Sequence, residues 1–270
     1  MIDSPFNLTG RVAIITGGAG LLGMSHARAV HAAGGIPVLL DIAAPPAELL
    51  RGRAGFDVPC LTCDITREDQ IRDALGAILE RHGRVDILIN NAANNPKVEA
   101  AGGLSNSRLE SYSLEHWQAD LAVGLTGAML CSRVFGAEMA RRGKGAIVNI
   151  ASDLALIGPD QALYSVEGLA ADQQPVKPVS YSVVKSGLIG LTRYLATYWA
   201  AAGVRANALC PGGVENGQDA VFLARIAQRI PLGRMAKVDE YQGAVLFLCS
   251  DASSYMTGAV LSVDGGRTAW

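Results

Sequence analysis

The run Arg11-Val-Ala-Ile-Ile-Thr16-Gly17-Gly18-Ala19-Gly20-Leu21-Leu22-Gly23 decides how this chain folds. Its first half is an unbroken apolar, β-branched stretch, the pattern of a strand buried on both faces. Its second half is a glycine-rich turn that opens a helix beginning near Leu22. Strand, glycine turn and helix together make a cradle for a pyrophosphate. Gly17 permits the tight turn, Gly20 lets backbone approach the ligand, and Gly23 allows close helix packing. The helix N-terminus supplies N–H groups and the positive end of its dipole. Thr16, Gly17, Gly18, Gly20, Leu22 and Gly23 are therefore the expected cradle residues. A glycine turn alone is weak evidence, so the rest of the chain must agree.

The next apolar run, Ile36 to Asp41, ends on a carboxylate about 20 residues after the glycines, the spacing at which an acid accepts hydrogen bonds from an adenosine ribose. A negative charge there repels a 2′-phosphate. No arginine or lysine lies inside the turn or just after Asp41, so NAD is expected over NADP. Asp64 closes a third run and has two readings: an acceptor for the adenine amino group, or a cap on the helical segment it opens. Further strands are expected at Cys60 to Cys63, Ile87 to Asn90, Ala146 to Ala151, Arg205 to Leu209 and Val260 to Val263. Most intervening segments are long enough for crossover helices. The expected architecture is a three-layer α/β fold around a doubly wound, parallel, seven-stranded sheet, in one domain over residues 1–270.

Composition excludes other classes. The 23 basic and 25 acidic residues are scattered, giving a net charge of -2 without the basic stripe that nucleic acid requires. The N-terminus lacks the basic and apolar regions of a signal peptide. No apolar run approaches the ~20 residues that span a bilayer, so a soluble cytoplasmic protein with no membrane partner is expected. Cys60 and Cys63 sit three apart on an expected strand, pointing to opposite faces, and read as structural thiols rather than a redox or zinc pair. The 4 histidines show no metal-binding spacing, and no metal site is expected.

Tyr181-Ser-Val-Val-Lys185 opens a helix expected to run to about Ala202, and the spacing puts both side chains on one face. An ammonium beside a phenol favours the phenolate, and so brings tyrosine towards the working range of an acid/base catalyst. Upstream, Ile147-Val-Asn-Ile-Ala-Ser152 ends the fifth strand with a hydroxyl able to hold a carbonyl oxygen. With Asn90-Asn91-Ala92-Ala93, Pro211-Gly212 and Asp264-Gly265-Gly266 in order, the chain resembles the short-chain dehydrogenase/reductase family in its single-domain Rossmann form, over nearly its whole length. The resemblance implies an oxidoreductase in which Ser152 orients the reacting oxygen and Tyr181 exchanges its proton. It also implies that Lys185 binds the nicotinamide ribose and lowers the tyrosine pKa. Asn90 would line the adenosine side, and the backbone at Pro211, Gly212 and Val214 would hold the nicotinamide amide.

Three departures from the family pattern stand out. Gly20 comes one position early, as in the family's extended members. Ser152 and Tyr181 are 29 positions apart, so residues 160–178 form an insertion beside the site. Tyr164 stands nearer the usual distance from Ser152, but Gly168 occupies the place of its lysine, making it a decoy. Gly124, in Trp117 to Gly127, replaces the asparagine that in the family holds a proton-relaying water; glycine should leave space that water can fill.

The insertion is rich in amides, and Asn94, Asn95, Lys97 and Asn216 belong to neighbouring loops, a lining suited to a hydroxylated, sugar-like or polyol substrate. The segments Ala151 to Asp153, Pro159 to Gln161 and Pro211 to Val214 resemble family members linked to bacterial surface-sugar and flagellin modification. The alternatives are a 3-oxoacyl thioester reductase, against which Asp41 counts, and a non-catalytic NAD-binding regulator, suggested by Gly124. A homotetramer is expected from the resemblance and from the apolar helices Leu121 to Met139 and Ser186 to Tyr198. The Val260 to Trp270 segment would form a second interface.

Overall fold

In the computed structural model, which describes residues 4–94 and 107–270, strand β1 (Val12–Thr16) is buried along its whole length. Its side chains alternate between two cores, as strand geometry requires. Val12 and Ile14 face one layer with Phe135, Ile147 and Leu195, while Ala13 and Ile15 face the other with Val30, Val148 and Val245. Strands β2 (Ile36–Asp41), β3 (Cys60–Thr62), β4 (Ile87–Asn90), β5 (Gly145–Ile150), β6 (Val204–Pro211) and β7 (Val260–Val263) complete a sheet of order β3-β2-β1-β4-β5-β6-β7, parallel throughout. The order reverses between β1 and β4, and the crevice beyond their carboxyl ends is where such sheets bind ligands. Asn95 and Lys97 lie outside the described residues.

The helices are α1 (Leu21–Ala32), α2 (Ala47–Ala54), α3 (Glu68–His82), α4 (Leu114–Leu121), α5 (Ala128–Arg141), α6 (Val179–Tyr198), α7 (Ala220–Ala227) and α8 (Gln242–Cys249). Several boundaries differ from the sequence reading by one residue, β3 ending at Thr62 and β5 running from Gly145 to Ile150, and two differ by more. Helix α6 stops at Tyr198, and Ala200–Ala202 is a separate 3-10 turn closed by Gly203 at φ 72°, a conformation glycine adopts without strain. Strand β6 extends to Pro211, longer than expected, because β7 pairs with it as far as Val263.

Between α4 and α5 the backbone widens into a π-helical turn, Ala122–Gly127. Such turns recur at functional sites. Counted together, Leu114–Arg141 is 28 residues long and is apolar enough, by length and composition, to cross a membrane. That corrects the sequence reading, which looked for an unbroken apolar run and missed one diluted by polar positions. Half of the most apolar window is buried within the fold.

Candidate active site

Each glycine that shapes the cradle does so by close approach. Gly17 has φ 58°, and a Cβ there would lie 2.9 Å from Ala92 Cα; a Cβ on Gly23 would lie 2.4 Å from the Gly17 carbonyl oxygen. Helix α1 therefore sits directly on the turn, and Gly20, at its N-cap, offers no side chain to cover the helix end. Thr16 is almost fully buried, and its hydroxyl accepts from the Asn91 and Ala92 N–H groups, both at 3.0 Å. It braces the turn from beneath. Asn91, which sequence reasoning passed over, donates its amide to the carbonyls of Thr16 (3.0 Å) and Gly17 (3.2 Å).

Asp41 closes β2 beside this turn, where its Oδ2 accepts from the Ala19 N–H at 3.0 Å. Asp64 Oδ1 accepts from the Thr66 N–H (2.9 Å) and hydroxyl (2.7 Å), closing a local turn; α3 begins at Glu68 with Arg67 as its N-cap, so Asp64 does not cap that helix. Asn90 differs from its expected role: its side chain turns into the protein, donating to Asn149 Oδ1 (2.8 Å) and Ser132 Oγ (3.0 Å). Only 4% of it is exposed, so what Asn90 offers a ligand is its backbone at the end of β4. Pro211 ends β6, the Gly212 carbonyl accepts from Tyr241, and the Val214 carbonyl accepts from Gln218 at 2.9 Å.

The expected trio converges. Ser152 follows β5, while Tyr181 and Lys185 lie one turn apart on α6, with Lys185 Nζ 5.8 Å from the Tyr181 ring centroid. Lys185 is buried, and its ammonium donates to the Ile150 carbonyl at 2.8 Å. Ser152 stands beside the phenol and favours its ionised form. The insertion adds an unforeseen group: Lys177 Nζ lies over the Tyr181 ring, 3.9 Å from its centroid.

The electrostatics correct one expectation. Burial, the largest influence, pushes Tyr181 up, Asp153 adds to this, and only Ser152 opposes it. Lysine does not lower the phenol in the free chain because Lys185 is itself pushed down to about 8, by burial and then by Lys177. Lys177 is likewise pushed down to about 8 by burial. Two buried amines crowd one phenol, and each loses its charge before the phenol would ionise. Tyr164, the decoy, packs on Phe222 with ring centroids 5.8 Å apart, and burial pushes its phenol up to about 12.

Behind Ser152 lies a charged arrangement the sequence did not reveal. The Ser152 hydroxyl donates to Asp153 Oδ1 at 2.8 Å, and Arg267, from the C-terminal segment, donates to Asp153 Oδ2 at 2.6 Å. Both side chains of this ion pair are buried. No motif marks it, since the partners are 114 positions apart.

Gly124 also departs from expectation. A cavity of about 10 Å³, room for one water, is lined by Asp120, Gly124, Ser180, Tyr181, Val184 and Lys185. The space a side chain would take is not vacant, however, because a Cβ on Gly124 would lie 2.5 Å from Val184 Cγ1. Asp120 accepts from Ser180 and from Tyr112 at one edge of this cavity. Cys60 and Cys63 are free thiols, each pushed up to about 11, mainly by burial, as suits structural cysteines.

The family described as enoyl-(acyl carrier protein) reductase matches residues 18–268. D-Threitol dehydrogenase of Mycolicibacterium smegmatis is 34% identical over 275 residues, covering 99% of this chain and 96% of its own. Galactitol 2-dehydrogenase of Rhizobium johnstonii is 34% identical, covering 98% of each chain. A gluconate 5-dehydrogenase from Burkholderia cenocepacia, solved with NADP and tartrate, superposes with TM-score 0.82 at 31% identity over 98% of each chain. Two 3-oxoacyl-[acyl-carrier-protein] reductases, 31% and 32% identical, also match.

Proposed function

The chain belongs to the short-chain dehydrogenase/reductase family, and from that membership we propose that it interconverts a secondary alcohol and a ketone on a polyol or sugar-like substrate, using NAD. The observation that carries this reading is the convergence of Ser152, Tyr181 and Lys185 beside the carboxyl ends of the strands, on the same side as the glycine cradle. A cofactor pyrophosphate fits the turn, since Gly17 and Gly23 leave no room for side chains there and α1 opens without a side-chain cap. The nicotinamide, when bound, accepts or supplies the hydride. Tyr181 takes or gives the hydroxyl proton, Ser152 fixes the reacting oxygen, and Lys185, one helical turn from the phenol, would hold the nicotinamide ribose. Thr16, Gly18 and Leu22 would shape the cradle, Asp64 would accept from the adenine amino group, and the backbone of Pro211, Gly212 and Val214 would hold the nicotinamide amide.

NAD over NADP rests on Asp41, which would confront a 2′-phosphate, and on the absence of a basic residue between Asp41 and Arg51. The polyol class is supported by the threitol and galactitol dehydrogenases and by the polar insertion. The narrower likeness to surface-sugar and flagellin-modifying enzymes rests on three short segments and falls within that class. Acyl-carrier reductases among the relatives keep thioester reduction as the second reading, and Asp41 weighs against it. The intact trio weighs against a non-catalytic regulator. We place the enzyme in the cytoplasm as a homotetramer acting on small molecules without nucleic acid or membrane partners, a reading supported by its balanced charge and by the packing of Leu114–Arg141 into the fold.

The test is a panel of polyols, sugar acids, ketoses and 3-oxo thioesters with each cofactor. A polyol–ketose pair turned over faster with NAD supports the proposal; thioester reduction with NADPH, or no turnover by a protein that binds NADH, overturns it. Tyr181→Phe should keep NADH binding and lose about 10²–10⁴-fold in turnover, with Tyr164→Phe nearly silent.

A further inference from the structure

Each alcohol molecule that is oxidised leaves a proton on Tyr181, and the phenolate cannot act again until that proton reaches solvent. A bound substrate and nicotinamide would cover the phenol, so the exit runs through the protein. The cavity of about 10 Å³ touches both Tyr181 and the buried Lys185. Asp120 also lines it and is only half-buried, so one carboxylate borders both the cavity and the solvent. Its Oδ2 accepts from the Ser180 hydroxyl and, at 2.7 Å, from the Tyr112 phenol, and those two hydroxyl oxygens are 2.8 Å apart. Among the described residues no hydrogen bond engages Oδ1. A water in the cavity would find the Lys185 ammonium, the Asp120 carboxylate and the Ser180 hydroxyl, within the roughly two to four polar partners that a buried water needs. At Gly124, where the family's asparagine would hold such a water, Val184 fills the side-chain space; Asp120 stands four positions earlier on the same helical stretch.

We propose that Asp120, held by Ser180 and Tyr112, is a positioning residue that fixes the cavity water through which the reaction proton passes between Lys185 and solvent. The inference rests on the alcohol–ketone reading above and deepens it. In oxidation the carbinol C–H electron pair leaves as hydride to the nicotinamide, the O–H proton passes to the Tyr181 phenolate, and the C–O bond becomes the carbonyl. Lys185 then gives one ammonium proton to the cavity water and is recharged with the proton leaving Tyr181. The Asp120 carboxylate steadies the positive charge on the water until it is lost to solvent, one proton for each nicotinamide reduced. In ketone reduction the same water supplies the proton. Tyr112 and Ser180 fix where the carboxylate stands, because hydrogen bonds to an ionised group are about twice as strong as neutral ones.

The first measurement needs no turnover: a crystal structure at a resolution that shows water. An ordered water within hydrogen-bond distance of both Lys185 Nζ and Asp120 is expected in the wild type; a dry cavity, or a water that does not touch Asp120, overturns the proposal whatever the enzyme oxidises. A wild type that oxidises no alcohol would sink the reaction reading instead, so the two failures remain distinguishable.

The second measurement is rapid-mixing kinetics of the polyol that the panel selects. Asp120→Leu keeps the side-chain shape and removes both oxygens, and Tyr112 and Ser180 can still bond to each other. Its first turnover should form NADH at close to the wild-type rate, because the phenolate is already in place. Later turnovers should be about tenfold slower, less than the ~10²-fold of a whole acid–base group because Tyr181 remains, and deuterium oxide should slow them about twofold more than it slows the wild type. Unchanged later turnovers, or a first turnover slowed as much as the later ones, overturn the proposal. Where Asp120→Leu does not fold, Asp120→Ala serves: formate, a free carboxylate, should restore its steady rate, chloride at equal ionic strength should not, and no rescue by formate counts against the role. The Asp120 charge also reaches Lys177, so the comparison is repeated in a Lys177→Met background. The slowing should persist there; its disappearance would show that Asp120 acts through Lys177 and not through the water.

Discussion

Asp41 does two things with one carboxylate. It ends β2 where an adenosine ribose would lie, and it already holds the Ala19 N–H at 3.0 Å, stiffening the glycine turn. Asp41→Ala therefore removes both a ligand acceptor and a brace, whereas Asp41→Asn retains an acceptor without the charge. Charge-assisted bonds are worth ~1.5–3 kcal/mol each, so titration with NADH should show binding weakened about tenfold or more in Asp41→Ala. NADPH should lose less or gain, and more so in Asp41→Asn; equal losses for both cofactors would deny Asp41 its discriminating role. A second residue-scale effect concerns His26, buried in α1 with neither ring nitrogen hydrogen-bonded among the described residues. Burial lowers its pKa from 6.5 to about 4. The ring is neutral in the fold, while the unfolded chain binds a proton below 6.5. This contribution to stability is thus fully present above pH 6.5 and is lost as pH falls towards 4, to a total of about 3 kcal/mol. Denaturant unfolding at pH 7 and pH 4.5 should show that drop, and His26→Leu should shrink it by most of that amount.

At the scale of elements, the contact between the π turn Ala122–Gly127 and α6 is set by a size complement, glycine at 124 against valine at 184. Restoring asparagine at 124 would drive its Cβ to 2.5 Å from Val184 Cγ1. Overpacking of this kind costs ~1–3 kcal/mol, and α6 carries both Tyr181 and Lys185, so the strain would reach the site. Gly124→Asn should lower the melting temperature and slow turnover, and Val184→Ala in the same chain should recover much of both. A single Gly124→Asn variant with unchanged stability would show that the two helices separate more easily than their packing suggests.

At the scale of the molecule, several large apolar side chains lie outside the core. Tyr194 and Tyr198 are 62% and 63% exposed on α6 and stack on each other at 5.5 Å, while Trp270, at the C-terminal end, is 77% exposed. Aromatic residues are enriched at protein interfaces relative to the rest of the surface, and a stacked exposed pair fits such a contact. Sedimentation at micromolar concentration should give the mass of four copies of a 28.2 kDa chain. Tyr194→Glu with Tyr198→Glu should reduce it to a smaller assembly, and a wild-type monomer would leave those tyrosines unexplained.

The sequence by itself determined the sheet, the cradle and the trio, because each depends on local order: apolar runs that make buried strands, glycines spaced for a turn, and Tyr181 and Lys185 one helical turn apart. It also set Tyr181 above Tyr164, since a lysine four positions on is a local fact. What only the tertiary structure decided involves partners distant in the chain. Arg267 reaches Asp153 across 114 positions, Lys177 lands on the Tyr181 ring through the path of the insertion, and Val184 fills the space beside Gly124. Asn90 turned inwards because Asn149 and Ser132 offered buried partners that no linear motif reveals. The protonation of the site was hidden for the same reason: burial is a property of the packed fold, and it is the largest influence on Tyr181, whereas the sequence shows only the lysine four positions on.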